Sequence, residues 1–241
     1  MRKVLLLLFC FLFLKVSFAQ ITYDYPIKPG SDKWKELTTH DQKVEVLQLP
    51  VNLLNGLKTK DLLTICLNYP LFPDMWAFNS LQNGFENVKN NFNGLQELFN
   101  RTDLVEVMFS HYISLKPEQL QHNLSSLEKI KISFKYSMFE ILLSQPELLD
   151  RLNNQQKETL LKLANLQIIK KQNFKNQFSK THLEVNYALL GRIIEKLDNS
   201  SVKMKYNKNK NLQHFIKNAS NPSHETVSDI NEITQNILNK K

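Results

Sequence analysis

Residues able to recognise a ligand are densest between Tyr69 and Leu98. Tyr69-Pro70-Leu71-Phe72-Pro73-Asp74-Met75-Trp76-Ala77-Phe78-Asn79 is followed by Gly84-Phe85, then by Asn91-Phe92-Asn93-Gly94-Leu95-Gln96-Glu97-Leu98. Aromatic rings stack on the apolar faces of a ligand, while neighbouring amides and carboxylates fix its orientation through hydrogen bonds. Asp74, Trp76, Phe78, Asn79, Asn93, Gln96 and Glu97 are therefore the expected lining of a groove for a peptide or glycan. The same stretch also suits a core, with Tyr69, Phe72, Trp76 and Phe85 inside and Asp74 and Asn93 capping helices. Both readings fit the sequence.

Catalytic and metal chemistry is harder to place. The six histidines (40, 111, 122, 182, 214 and 224) include no pair at helical i, i+4 spacing, and there is no Cys-x-x-Cys. His182 and Glu184 are two apart, which puts them on different sides of a helix. No Gly-x-Ser-x-Gly elbow occurs, and the five glycines stand too far apart to cradle a phosphate. Glu97 and Glu106 are one of many acid pairs that could face each other across a hydrolytic cleft. The expectation is no catalytic residue, no metal and no cofactor. The function expected is a non-catalytic binding or scaffolding module; the alternative is a hydrolase of envelope or extracellular polymer.

The first nineteen residues suggest where the chain works. Met1-Arg2-Lys3 is a short cationic start, Val4 to Leu14 is unbroken apolar sequence, and Ser17-Phe18-Ala19 places small residues at a cleavage site. That order is a secretory signal peptide, too short to span a bilayer, with Gln20 as the expected mature N-terminus. Export to a periplasmic or extracellular space follows, without stable membrane insertion after cleavage. Losing Arg2, Lys3 and Lys15 lowers the formal charge from +8 to +5. Cys10 leaves too, and the remaining thiol, Cys66, sits among Leu62, Leu63, Ile65 and Leu67 as a buried, inert group. A chain of this size buries ~70% of its unfolded surface, so its core needs no disulfide.

The elements that must position these residues read as helices. Glycine is scarce, and apolar residues recur in steps of three and four. Leu120, Leu124, Leu127, Ile130, Phe134, Met138 and Ile141 mark a long helix from Pro117 to Ser144, stopped by Pro146. Leu160, Leu161, Ala164 and Ile168 mark another. Leu183, Tyr187, Leu190, Ile194 and Leu197 mark a third, with Gly191 beside it for a close contact, and Val227, Ile230, Ile233 and Ile237 a fourth. Ser31, Thr39, Thr59 and Thr102 are candidate N-caps, and one helix is expected from Pro73 to about Asn90. The fold expected is all-α: residues 31–241 as a single domain of nine to eleven helices in consecutive hairpins, a short curved array being one arrangement. Residues 20–30 form an extended lead-in, and a flexible basic loop is expected near 199–211. Charge is uneven, net −4 over Gln20–Asp150 and net +9 over Arg151–Lys241. The lysines of 203–210 lack arginines and stacking aromatics, so no nucleic acid is expected as partner. The expected partner is a protein, peptide or glycan, and the oligomeric state is not fixed by the sequence.

Three stretches resemble an uncharacterised family of exported, all-helical bacterial proteins found largely in Bacteroidetes and Firmicutes. They are Tyr25-Pro26 with Pro29 and Trp34, Cys66-Leu67-Asn68-Tyr69-Pro70-Leu71 with Asp74-Met75, and Phe92-Asn93-Gly94-Leu95-Gln96-Glu97-Leu98. Leu190-Gly191-Arg192-Ile193-Ile194 is similar as well. The resemblance implies an exported helical protein and carries no activity, so no residue role is transferred from it.

Overall fold

The computed structural model describes residues 23–116, 124–174, 178–199 and 206–239. The signal-peptide residues therefore lie outside the described residues, as do Leu120 and residues 200–205 of the basic loop. Every regular element among the described residues is helical. In chain order these are α1 (Asp32–Glu36), α2 (His40–Glu45), α3 (Val51–Gly56), α4 (Thr59–Leu67), a 3-10 helix (Phe72–Ala77), α5 (Leu81–Asn91), α6 (Asn93–Asn100) and α7 (Leu104–Ser114). There follow α8 (Ser126–Leu143), α9 (Pro146–Leu149), α10 (Asn154–Gln172), α11 (Lys180–Lys196), α12 (Lys210–Asn218) and α13 (His224–Leu238). The all-α reading holds. The helices outnumber the nine to eleven expected, because the N-terminal half is cut into pieces as short as α1 and the 3-10 helix.

Local chemistry explains several of those cuts. Ser31 and Thr39 cap α1 and α2 as expected, Thr39 completing a capping box with Gln42. Thr59 instead lies inside α4 and spends its hydroxyl on Asp103 at 2.6 Å, while Thr102 precedes the cap of α7. The helix expected from Pro73 to Asn90 is two elements. Phe78 takes an extended conformation, and Ser80 accepts from the Asn83 N–H to begin α5 afresh. The helix expected from Pro117 starts at Ser126, where Ser125 and Glu128 close a second capping box. Leu127 and Ile130, expected in its buried stripe, are 60% and 51% exposed because the first turns of α8 overhang the body. From Tyr136 to Gln145 every residue is buried.

α11 is the centre of the molecule. Val185 to Ile194 are all buried, and α11 packs against α8, α9, α10, α12 and α13. α10 and α11 form a long consecutive pair, and α8, α9, α12 and α13 pack on the same central helix. Gly191 permits a close approach: a Cβ there would lie 2.7 Å from Ile216 of α12. Arg192, next to it, joins two helix ends. Its Nε–H donates to the Ile216 carbonyl at 2.9 Å, Nη1 to Ser144 Oγ at 3.0 Å, and Nη2 to the Lys217 carbonyl at 3.2 Å. One apolar core runs from Tyr25 in the lead-in to Ile237 in α13, with Cys66 fully enclosed. Burial pushes the Cys66 thiol far up, so it is the inert group its neighbours implied. The described part of the basic loop is not loose chain: Tyr206–Lys208 is helical, and Asn209 caps α12 while donating to Asp229 at 2.5 Å. Among the described residues, no helix is long and apolar enough to cross a membrane.

Candidate functional site

The 3-10 helix is the element that carries the aromatic site. Pro73 sets its first turn, and Phe72 and Met75 are buried beneath it. Gly84 of α5 lets this turn lie against the helix behind it, since a Cβ at Gly84 would stand 2.0 Å from the Met75 carbonyl oxygen. With Phe72 and Met75 pointing inward, Trp76 is left half-buried and Phe78 is 42% exposed. The Trp76 ring meets Phe134 of α8 edge to face, centroids 5.1 Å apart, which fixes the indole's orientation.

These two rings form one wall of a cleft of about 250 Å³. The opposite wall comes from the first turns of α11, Thr181 and Glu184, and the floor from the turn between α12 and α13, Ser220 and Asn221; Asn79 completes the rim. The turn is held by two unusual residues. Ala219 (φ 55°) and Asn221 (φ 51°) both adopt the left-handed conformation, and the Ser220 hydroxyl accepts from the Leu81 N–H at 2.7 Å. Non-glycine residues in that region are sparse and tend to gather where a backbone path is forced. Partial burial raises the Glu184 carboxyl above its usual range, and Lys180 at 3.7 Å opposes the shift. Behind this wall His182 accepts from the Ser179 N–H through Nδ1 at 3.1 Å and packs on Phe134 and Phe178. Burial, then the Lys171 charge, lowers its pKa to about 4, so the ring is neutral at neutral pH.

Three of the seven expected groove residues, Trp76, Phe78 and Asn79, line this cleft together. The other four are placed elsewhere. Asp74 faces α2, its carboxylate 3.8 Å from His40 Nδ1, and burial raises its pKa against the pull of His40 and Lys43. Asn93 is a clasp: its Oδ1 accepts from the Leu49 N–H at 2.9 Å and its Nδ2 donates to the Leu49 carbonyl at 2.8 Å. Gln96 donates to the Asn90 carbonyl, and Glu97 pairs with Arg101 at 2.8 Å. Glu106 stands exposed on α7. The core reading also holds in part, since Tyr69, Phe72 and Phe85 are buried and Tyr69 stacks on Phe92. Comparison with protein-family models, with curated protein sequences and with solved structures returns no match.

Two further arrangements had no sequence signal. Glu140 and Lys171 pair at 2.5 Å with both side chains completely enclosed, and Tyr112 donates to the same carboxylate at 3.1 Å. Burial drives Glu140 up and Lys171 down, each held back chiefly by the other. A ligand has no route to them in this packing. A cavity of about 480 Å³ above Arg192 is lined by Gln82, Glu86, Glu195 and Tyr206, with the Tyr206 hydroxyl donating to Glu195 at 2.6 Å. Among the described residues no three of histidine, cysteine, aspartate and glutamate converge as metal ligands would.

Proposed function

We propose that this chain is an exported, non-catalytic binding module that takes the hydroxyl-rich end of a glycan in the Trp76 cleft. The observation that carries this reading is the pairing of two accessible aromatic rings with a rim of neutral and acidic hydrogen-bonding groups. Trp76 and Phe78 offer apolar faces, while Asn79, Thr181, Glu184 and Asn221 offer both donors and acceptors. A sugar ring presents the complement, an apolar face bordered by hydroxyls. The cleft is small, its volume of about 250 Å³ falling below the ~300–1,000 Å³ typical of ligand sites, which suits a chain terminus more than an internal segment. Residues 1–19 read as a signal peptide support an envelope or extracellular setting, as does the resemblance to exported helical proteins.

The test is a binding panel of envelope and extracellular polysaccharides and of peptides, read with the mature chain and with Phe78→Ala. Phe78 is exposed enough that its loss leaves folding intact. The reading expects a glycan to be retained and the variant to bind it about tenfold more weakly. Retention of peptides alone, or equal glycan binding by the variant, would overturn it.

A further inference from the structure

A second concavity opens on the far side of Phe134, between the end of α4 and the overhanging half of α8. Leu67, Tyr69, Pro73, Ile130, Phe134 and Met138 form its walls around a volume of about 540 Å³. That is within the range of sites for small organic ligands, and larger than the Trp76 cleft. Leu67, Tyr69 and Met138 belong to the buried core, whereas Ile130 is half exposed at the mouth and Leu127 lies one turn beyond it. The groove thus joins an apolar floor to apolar surface left facing water, an arrangement that marks interaction sites.

The groove also holds two cations. Lys131 and Lys135 both line it, four residues apart on one face of α8, where like charges repel. Lys135 is half-buried, and the charge that acts on it is Lys131, of the same sign. Among the described residues neither lysine forms an ion pair; the Glu128 carboxyl is lowered chiefly by its hydrogen bonds to Ser125 at the α8 cap and only then by the Lys131 charge. A partly dehydrated cation with no ion-pair partner among the described residues, at the edge of an apolar trough, is complementary to an amphipathic anion.

We propose that this groove binds a long-chain fatty carboxylate, its acyl chain lying between Ile130 and Tyr69 and its carboxylate between Lys131 and Lys135. A flat bilayer surface is a poorer match, because Tyr69 and Met138 lie at the bottom of a concavity. The site is separate from the Trp76 cleft, and the two stand or fall independently.

Calorimetric titration of the mature chain with saturated fatty acids, from octanoate to palmitate below their micelle concentrations, tests this. One saturable site is expected, tightening about fourfold per added methylene until the trough is filled. The matching methyl esters should bind at least tenfold more weakly than the acids. Lys135→Met should cut that preference for the acid severalfold, with Lys131 left to hold the carboxylate, while Lys135→Arg keeps it. Ile130→Asp, at the exposed rim, should weaken acid and ester alike. Thermal unfolding of each variant establishes that it is folded. No saturable binding, equal affinity for acid and ester, or no dependence on chain length would overturn the proposal. So would capture of the chain by phosphatidylglycerol vesicles with no binding of free fatty acid.

Discussion

Glu140 and Lys171 show how a buried charge is tolerated only as a pair. Lys171 also lies over the rings of Tyr136 and Phe178 at 5.6 and 5.3 Å, so its charge meets a carboxylate and two aromatic faces. Lys171→Met strands a buried carboxylate and should cost about 3–5 kcal/mol in urea unfolding. Glu140→Leu with Lys171→Met should recover most of that loss, because no uncompensated charge remains. Additive losses would show that the pair is not coupled. His182 makes a pH prediction at the same scale. Its folded pKa of about 4 lies below its ordinary value, so the neutral ring is favoured by the fold. That contribution is complete above pH ~6.5 and disappears as pH falls towards 4. Because His182 is only partly buried, the expected difference is about 1–2 kcal/mol after allowance for screening. Between pH 7 and 4.5 the wild type should lose that much more stability than His182→Asn.

At the scale of elements, close contacts and helix ends decide what can be placed where. Gly84→Ala brings a methyl group into the Met75 backbone carbonyl, which cannot swing aside. It should cost about 2 kcal/mol or more and displace the 3-10 helix that carries Trp76. Gly191→Ala meets the side chain of Ile216, which can adjust, so its cost should be smaller. Arg192→Lys keeps the charge but cannot reach the ends of both α8 and α12, leaving buried carbonyls unpaired at about 1–3 kcal/mol each. Thermal unfolding of the three variants measures this order. The long helices were legible because apolar spacing is a local property: α10, α11 and α13 lie where their stripes put them. Gly191 was readable for the same reason, as a small residue beside a stripe. The split at Phe78 was not, since it depends on Ser80 capping α5 and on Gly84 meeting Met75. Half of the cleft was likewise invisible, because Thr181, Glu184 and Asn221 come more than a hundred residues after Trp76 and reach it only through packing around α11.

For the whole molecule, one apolar core closes on α11 and encloses Cys66 as a free thiol, so among the described residues burial holds the fold together. Intact mass of the exported protein should correspond to a chain beginning at Gln20, as the Ser17-Phe18-Ala19 site requires; a mass retaining residues 1–19 would make it an anchor instead. The chain contains two tryptophans, Trp34 and Trp76, and this permits a direct measurement at the proposed site. In Trp34→Phe, all indole fluorescence comes from the cleft. Titrating that variant with a glycan retained by the mature chain should give a saturable change in Trp76 emission that is weakened about tenfold by Glu184→Gln. An emission unchanged at saturating glycan, or a response indifferent to Glu184, would contradict the assignment of the Trp76 cleft as the binding site.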